Sequence, residues 1–570
     1  MRSYGLVFLL PAVVLIFSFR LKFAAGPFWQ YADPSYIFLL NSVNLVKGIP
    51  AAFFDQPGVP LQSLGQAVIL FLNIGHSSAD AVKSVLVNPE YYLNIIDIVL
   101  LLLIFLTSIL LGAYTFRKTN DIAAVFLSQL PNVLLLTLRS NQNHPWVYAT
   151  VNAEPLLLCI TNLFNIFLLK LFFSKTDKEK NLSILILGFI CGLGVATKLS
   201  FLTLLILPLI ICRWRMKPAF ILTTIAFFVL WTLPIITLYP KLWSWIAGLI
   251  THTGIYGNGH GGVIDIHDYL AAWNVIFQKF WFYVLFALCT LVISSIEVLK
   301  RRSPPASFFI WAISFTILVQ LAVVAKHFEE HYLVIAINSF GPLFVLFYLY
   351  QMPKRAFLKP LILLLIGLST LFSSIITSTY AYQLAHLTKE VVHFNDIIHT
   401  KYPGCLYIGS YLKMPISNPE YALFMGNDSS GGGEKEELSR IYPNNFSLFT
   451  ESLDISGTCT YGLYNFKQSL WADDLLSSYP CIIFINSGYN FPGSPYIVKP
   501  LEEGEYSKAY LLVGSTEKEA NALFNMALQL IRKGDYAQAM AYLLKSRELH
   551  FQPGGEIDYF IGVLYSQLKH

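Results

Sequence analysis

Two carboxylates stand about twenty residues apart in a stretch between the first apolar segment and the next, in Tyr31-Ala32-Asp33-Pro34-Ser35-Tyr36 and in Phe53-Phe54-Asp55-Gln56-Pro57-Gly58. A chain with 13% charged residues places few acids, so an acidic loop just outside an apolar segment calls for a reason. A positioned carboxylate can act as a general base on a hydroxyl. Further along, Glu154 opens another apolar stretch in Asn152-Ala153-Glu154-Pro155, and Lys198 closes one in Gly192-Leu193-Gly194-Val195-Ala196-Thr197-Lys198. The run Lys326-His327, then His331-Tyr332-Leu333, adds cations able to stabilise charge on a departing anionic group. Each residue also has a plainer reading. Asp33 with Pro34 after it suits the N-cap of a helix beginning near Ser35, and Asp55 before Gln-Pro-Gly suits a turn. Lys198 suits a helix-end lysine reaching for the interface, and 326–331 a solvated charged loop. Glu154, inside a span, is read as functional.

What must position these residues is a membrane. The 570-residue chain is 55% hydrophobic with mean hydropathy +0.56, and its 13% charged residues are about half the fraction of a soluble protein. Apolar windows long enough to cross a bilayer fall near 3–19, 92–115, 121–138, 148–172, 182–197, 199–212, 218–239, 281–299, 306–325, 332–351 and 357–380. That is about eleven spans, with a tight hairpin near the fifth and sixth. The first has one basic residue ahead of it and no small-x-small cleavage site, so it reads as a span and not a removed leader. Basic clusters at Arg117-Lys118, Lys175/Lys178/Lys180, Arg213/Arg215/Lys217, Lys300-Arg301-Arg302 and Lys354-Arg355-Lys359 fall on alternate loops. The positive-inside rule places them and the N-terminus in the cytoplasm, and residues 381–570 outside. The net charge of +5 is mostly this topological signal, and no nucleic-acid partner is expected. Residues 35–47 and 61–74 are amphipathic and too short to span, as interfacial helices are.

Beyond residue 380 the composition changes. Cys405-Leu406-Tyr407-Ile408 and Cys481-Ile482-Ile483-Phe484-Ile485 read as buried strands among turn-rich stretches such as Gly431-Gly432-Gly433. The expected organisation is a transmembrane domain over 1–380, a small α/β domain over 381–515 and a helical segment over 516–570. In that last segment Leu523, Ala527 and Leu530 share a face, followed by Gly534-Asp535-Tyr536 and a second helix. The pattern resembles about one and a half tetratricopeptide repeats, too few to stand alone, which leaves open a protein partner or a plain helical hairpin. Cys405, Cys459 and Cys481 can form one disulfide in an oxidising space and leave one thiol over. Cys159, Cys191, Cys212 and Cys289 lie within spans. His252, His260, His267 and Asp268, in a Gly-rich loop, fit no metal-ligand spacing, so no metal is expected.

The motifs together resemble those of the GT-C membrane glycosyltransferases, in the branch of the protein O-mannosyltransferases and the lipid A aminoarabinose transferase. Asp33-Pro34-Ser35-Tyr36 is similar to that family's Asp-Glu-x-x-Tyr, and Phe53-Phe54-Asp55-Gln56-Pro57-Gly58 to its Tyr-Phe-Glu-Lys-Pro-Pro. Glu154, the Gly-rich run ending in Thr197-Lys198, and His331-Tyr332-Leu333 resemble later elements, in family order over residues 1 to about 350. The chain departs at Pro34, where one acid of the pair is missing, and at Gln56, where a lysine is expected. The resemblance implies an inverting glycosyltransferase of a multi-pass membrane, such as a bacterial inner membrane. It would move a sugar from a polyprenyl phosphate, without a cofactor, to a hydroxyl of a glycan, lipid or protein on the outer face. Asp33 would be the base, Asp55 and Glu154 would orient base or acceptor, and Lys198, Lys326, His327 and His331 would meet the lipid phosphate. The alternatives are an envelope polysaccharide ligase or polymerase, working through outer-loop Arg and His, and a transporter or scaffold. Inverted repeats, expected of a transporter, are not evident.

Overall fold

The computed structural model describes the chain except residues 1–3, 55–56, 139–146, 255–256, 258, 301–304, 353–354, 411–418, 444–445, 452–459, 465–468, 471, 487–495, 550–555 and 569–570. Among the described residues, nine helices are long and apolar enough to cross a membrane: Tyr4–Ala25, Pro89–Thr119, Ala153–Phe173, Asp177–Thr197, Trp214–Thr251, Ile266–Leu299, Pro305–Lys326, Glu330–Gln351 and Phe357–Lys401. The protein is a polytopic α-helical membrane protein. All eleven expected segments are helical, Ile122–Thr137 and Leu199–Ile211 being shorter than the other nine. Pro131 lies in the first of these, and the second begins as a 3-10 helix over Leu199–Leu205. The sequence windows were right about the apolar stretch and blind to where a helix tightens or stops.

The chain forms two compact units. The first comprises Met1–Ala25, Asn41–Val85 and Tyr91–Leu384. Its helices pack closely where side chains are small, as expected inside a bilayer, where apolar burial against lipid gains little. Gly188 and Gly192 of helix Asp177–Thr197 lie against helix Lys217–Thr232, and a Cβ on Gly192 would sit 2.7 Å from the Thr224 carbonyl oxygen. Buried carboxamides bind other helices together: Asn162 Oδ1 accepts from Asn338 Nδ2 at 3.0 Å and Asn132 Nδ2 at 3.3 Å.

The second unit comprises Gly26–Leu40, Leu86–Glu90 and Ala385–His570. It therefore includes two short segments from the loop between the first two long helices, which hydropathy alone had grouped with the transmembrane domain. Among the described residues its centre is a seven-stranded mixed sheet of β1 (Leu406–Ser410), β2 (Phe446–Glu451), β3 (Thr460–Tyr464), β4 (Ser469–Leu470), β5 (Ile482–Asn486), β6 (Tyr496–Glu503) and β7 (Lys508–Ser515). Their spatial order is β4-β3-β2-β1-β5-β7-β6. β1 runs parallel to both β2 and β5, and the other pairs are antiparallel. The two apolar runs read as strands are thus neighbours, with Leu406 opposite Ile482 and Ile408 opposite Phe484. All four side chains are buried. At the head of this pair Cys405 and Cys481 form a disulfide; Cys459 lies outside the described residues.

After β7 come helices Glu517–Lys533, Tyr536–Glu548 and Glu556–Leu568. Gly534 at φ 80° ends the first, and the Asp535 side chain accepts from the Gln538 amide to start the second. Phe524, Ala527, Ala539, Met540, Leu543, Ile557, Ile561 and Leu564 form a core within these three helices.

The first loop contributes helices Ala32–Val46 and Val59–Leu72. Residues 35–46 are buried without exception, including Ser35, Asn41, Ser42 and Asn44. The helix expected in the interface plane is enclosed by protein, because polar side chains at 41, 42 and 44 have protein to meet and not only headgroups. Asn41 Oδ1, for instance, accepts from the Ala52 and Phe53 amides at 2.8 and 2.9 Å.

Candidate functional site

In the first unit, helix Ala153–Phe173 starts where the Asn152 side chain accepts from the Glu154 amide at 2.9 Å. This cap puts Glu154 in the first turn, where the helix dipole favours a carboxylate. Helix Asp177–Thr197 ends at Lys198, whose extended backbone stops the helix and presents a cation to its negative end. The two ends meet: Lys198 Nζ pairs with Glu154 Oε1, and both are buried. His331 Nε2 lies 3.7 Å from the same oxygen. Lys198 Nζ also sits 4.1 Å from the centre of the Tyr332 ring, and the His331 and Tyr332 rings are 4.4 Å apart, close enough for a cation–π contact. Three sequence candidates, Glu154, Lys198 and His331, thus form one buried cluster. A fourth motif reaches it through the backbone, since the Gly58 amide donates to the Thr197 carbonyl at 3.2 Å. Asp55 and Gln56 of that motif lie outside the described residues.

Lys326 and His327 have other partners. Helix Tyr239–Thr251 ends beside them, and Lys326 Nζ donates to the carbonyls of Leu249 and Ile250, the latter at 2.9 Å. His327 places Nδ1 2.7 Å from the Gly254 oxygen and Nε2 3.0 Å from the Leu249 oxygen. Both side chains meet backbone carbonyls at or just beyond a helix C-terminus, a place where a lysine is favoured by the helix dipole. They also border a cavity of roughly 300 Å³ with Asp265, Asp268 and Phe328. Among the described residues no three His, Cys, Asp or Glu side chains gather as a metal site.

Asp33 belongs to the second unit. A 3-10 turn over Phe28–Tyr31 leads into helix Ala32–Val46, and Asp33 breaks the helical path with φ −86° and ψ 122°, the extended conformation of an N-cap. Burial raises its carboxyl from the ordinary carboxylate range to about 6, since desolvation disfavours the charged form. Far along the chain but in the same unit is an acid that motif reading missed. Glu90 Oε2 accepts from the Phe28 amide at 2.8 Å, and Glu90 Oε1 accepts from the Trp29 amide at 2.9 Å and the Tyr36 hydroxyl at 2.8 Å. Its signal in the sequence is slight: an acid after a proline at the head of a long apolar stretch, Pro89-Glu90. Also missed were Lys22 and Asp97, a fully enclosed ion pair at 2.9 Å between helices Leu9–Ala25 and Pro89–Thr119. Each is a charge interrupting an otherwise apolar span, which was the available clue.

No family model matches this chain, and no curated protein matches it. Among solved structures it is similar to ArnT from Cupriavidus metallidurans, crystallised bound to undecaprenyl phosphate, with 12% identity, 90% of this chain and 98% of that chain covered, and a TM-score of 0.42. A likeness of that degree assigns neither family nor activity.

Proposed function

We propose that the protein is an inverting glycosyltransferase that takes a sugar from a polyprenyl phosphate and joins it to a hydroxyl of a glycan, lipid or protein acceptor on the outer face of the membrane. The observation that carries this reading is Asp33, a carboxylate at a non-helical joint outside the spans, held by its surroundings at about 6. A base with a pKa near the working pH is ionised when needed and still proton-hungry. In the proposed reaction Asp33 takes the acceptor proton, the acceptor oxygen bonds to the anomeric carbon, and the bond from that carbon to the phosphate oxygen breaks on the opposite face. The polyprenyl phosphate leaves with the electron pair. On sequence grounds Lys198 and His331 keep their proposed assignment to the lipid phosphate, with Glu154 held beside them in the first unit. Lys326 and His327 are assigned to holding the 249–254 backbone. Asp55 keeps its proposed orienting role on sequence grounds. The N-terminus is placed in the cytoplasm and residues 381–570 outside, in keeping with the Cys405–Cys481 disulfide.

The test compares lipid-linked sugars and surface glycans in cells with the gene, without it, and with Asp33→Asn in its place. The reading expects a polyprenyl-phosphate sugar to accumulate, and one glycan or modified lipid to lose that sugar, in both deficient strains. Unchanged pools on deletion of the gene would refute it.

A further inference from the structure

We infer that Glu90 is a positioning residue that fixes the Asp33 joint from both sides; the inference rests on the reading of Asp33 as the base. One carboxylate collects three donors: the amides of Phe28 and Trp29 before Asp33, and the hydroxyl of Tyr36 after it. Phe28 and Trp29 open the 3-10 turn, and Tyr36 lies in the helix that follows the joint. Asp33 is the non-helical residue between these anchored flanks, so the direction of its carboxylate depends on both being held. Hydrogen bonds to an ionised acceptor are shorter and roughly twice as strong as neutral ones. Tyr36 is itself buried, and its proton is retained well above the ordinary tyrosine range by burial and by the Glu90 charge, which keeps the hydroxyl a donor.

The anchor is in turn anchored. Glu90 lies in the first turn of helix Pro89–Thr119, where a carboxylate is favoured by the dipole. The Tyr442 hydroxyl donates to the Leu86 carbonyl at 2.9 Å, just ahead of that turn. Gly426 packs against the backbone of Tyr36 so closely that a Cβ there would lie 2.9 Å from the Tyr36 carbonyl oxygen. Helix Pro419–Ser429 and Tyr442 therefore brace the same joint from the α/β portion of the unit. Glu90 contacts no reacting atom in this scheme; it acts through Asp33.

The test uses the full-length protein in detergent with Glu90→Gln, Glu90→Asp, Tyr36→Phe, Asp33→Asn and the double variant Glu90→Gln/Asp33→Asn. Amide exchange over 27–37 is read by mass spectrometry. Turnover is read as loss of lipid-linked sugar from a lipid extract of cells lacking the gene. Glu90→Gln keeps one acceptor oxygen and turns an NH₂ group toward donors, so exchange over 27–37 rises about tenfold or more. Misplacing a reacting group by about 1 Å is worth roughly 10²-fold, so turnover falls by about 10- to 100-fold while the KM for the lipid extract stays within about threefold. Glu90→Asp, which keeps the charge but withdraws it by one methylene, does not restore turnover. Tyr36→Phe shows a smaller loss of the same kind, and the double variant is no slower than Asp33→Asn alone. Unchanged exchange, or an inactive Asp33→Asn beside a fully active Glu90→Gln, overturns the positioning role. A fully active Asp33→Asn instead overturns the base reading, and the exchange data then decide on their own whether Glu90 holds the loop.

Discussion

At the scale of single residues, the chemistry turns on groups whose charge the surroundings oppose or match. Asp33 ionises near 6 because burial disfavours its anion. As a base it must be ionised, so kcat/KM is expected to rise with pH through about 6 and to fall tenfold per unit below it; a pH profile with no acidic limb between 5 and 7 would contradict the assignment. The same shift has a consequence for stability with the opposite trend. The folded state binds this proton more tightly than the unfolded one, so the Asp33 contribution favours folding below about 4 and is lost as pH rises to 6. Asp33→Asn keeps capping ability and removes a disfavoured charge, so at pH 7.5 it is expected to melt no lower than the parent. Transfer should nonetheless fall by about 10²-fold or more. A capping role alone would leave the Asn variant active and harm only Asp33→Ala. Lys22 and Asp97 make the contrasting case, a pair matched within the fold. Asp97→Ala takes away the carboxylate that a buried lysine faces and is expected to destabilise by up to about 3–5 kcal/mol, whereas Lys22→Met with Asp97→Leu should recover most of it. Thermal unfolding of the three proteins in one detergent checks this.

At the scale of elements, helix ends do more of the site-building than helix faces. Glu154 at a start, Lys198 at an end and His331 in the 3-10 turn Glu330–Leu333 come together because each terminus leaves backbone groups and a dipole to complement. The glycines ahead of Lys198 serve the approach of neighbouring helices. Gly192→Leu would drive a side chain into the Thr224 carbonyl and the Phe228 amide, backbone atoms that no rotamer change can move aside. The expected loss is at least about 1–3 kcal/mol, seen as a lower melting temperature in detergent, while Gly367→Ala, with nothing within 4 Å of the added carbon, should be neutral. Equal melting of the two variants would show that this helix contact contributes little. The Gly-rich run therefore needs no ligand to explain it; only its terminal lysine belongs to the cluster.

At the scale of the whole molecule, the alternation of basic clusters predicts the path of the chain across the membrane. Reporter fusions after Lys118, Lys180, Arg302 and Lys359 are expected to score cytoplasmic and one after Thr388 external; external scores at two or more of the first four would invert the placement of every candidate residue. The second unit is not a C-terminal appendage alone, since it takes in Gly26–Leu40 and Leu86–Glu90. Residues far apart in sequence, such as Tyr36, Glu90, Gly426 and Tyr442, are neighbours there.

By itself the sequence determined the solvent. Runs of apolar residues with almost no charge are readable one window at a time, because the bilayer acts on each segment locally and demands a helix of it. The strands around Cys405 and Cys481 were legible for a similar reason, being short apolar runs between turns. Asp33, Glu154, Lys198 and His331 stood out as charged or titratable residues beside or within greasy segments, so their candidacy was visible as well. What only the tertiary structure decided was who meets whom. It paired Glu154 with Lys198 and brought His331 beside them, set Lys326 and His327 on the carbonyls of Leu249, Ile250 and Gly254, and joined Cys405 to Cys481. It enclosed the helix at 35–46, which its amphipathic pattern had placed at the lipid surface. Glu90 is the clearest instance. Little in its neighbours along the chain marks it beyond the Pro89-Glu90 pair, because it meets the Phe28 and Trp29 amides and the Tyr36 hydroxyl through long-range packing, and such contacts leave no local period or motif to read.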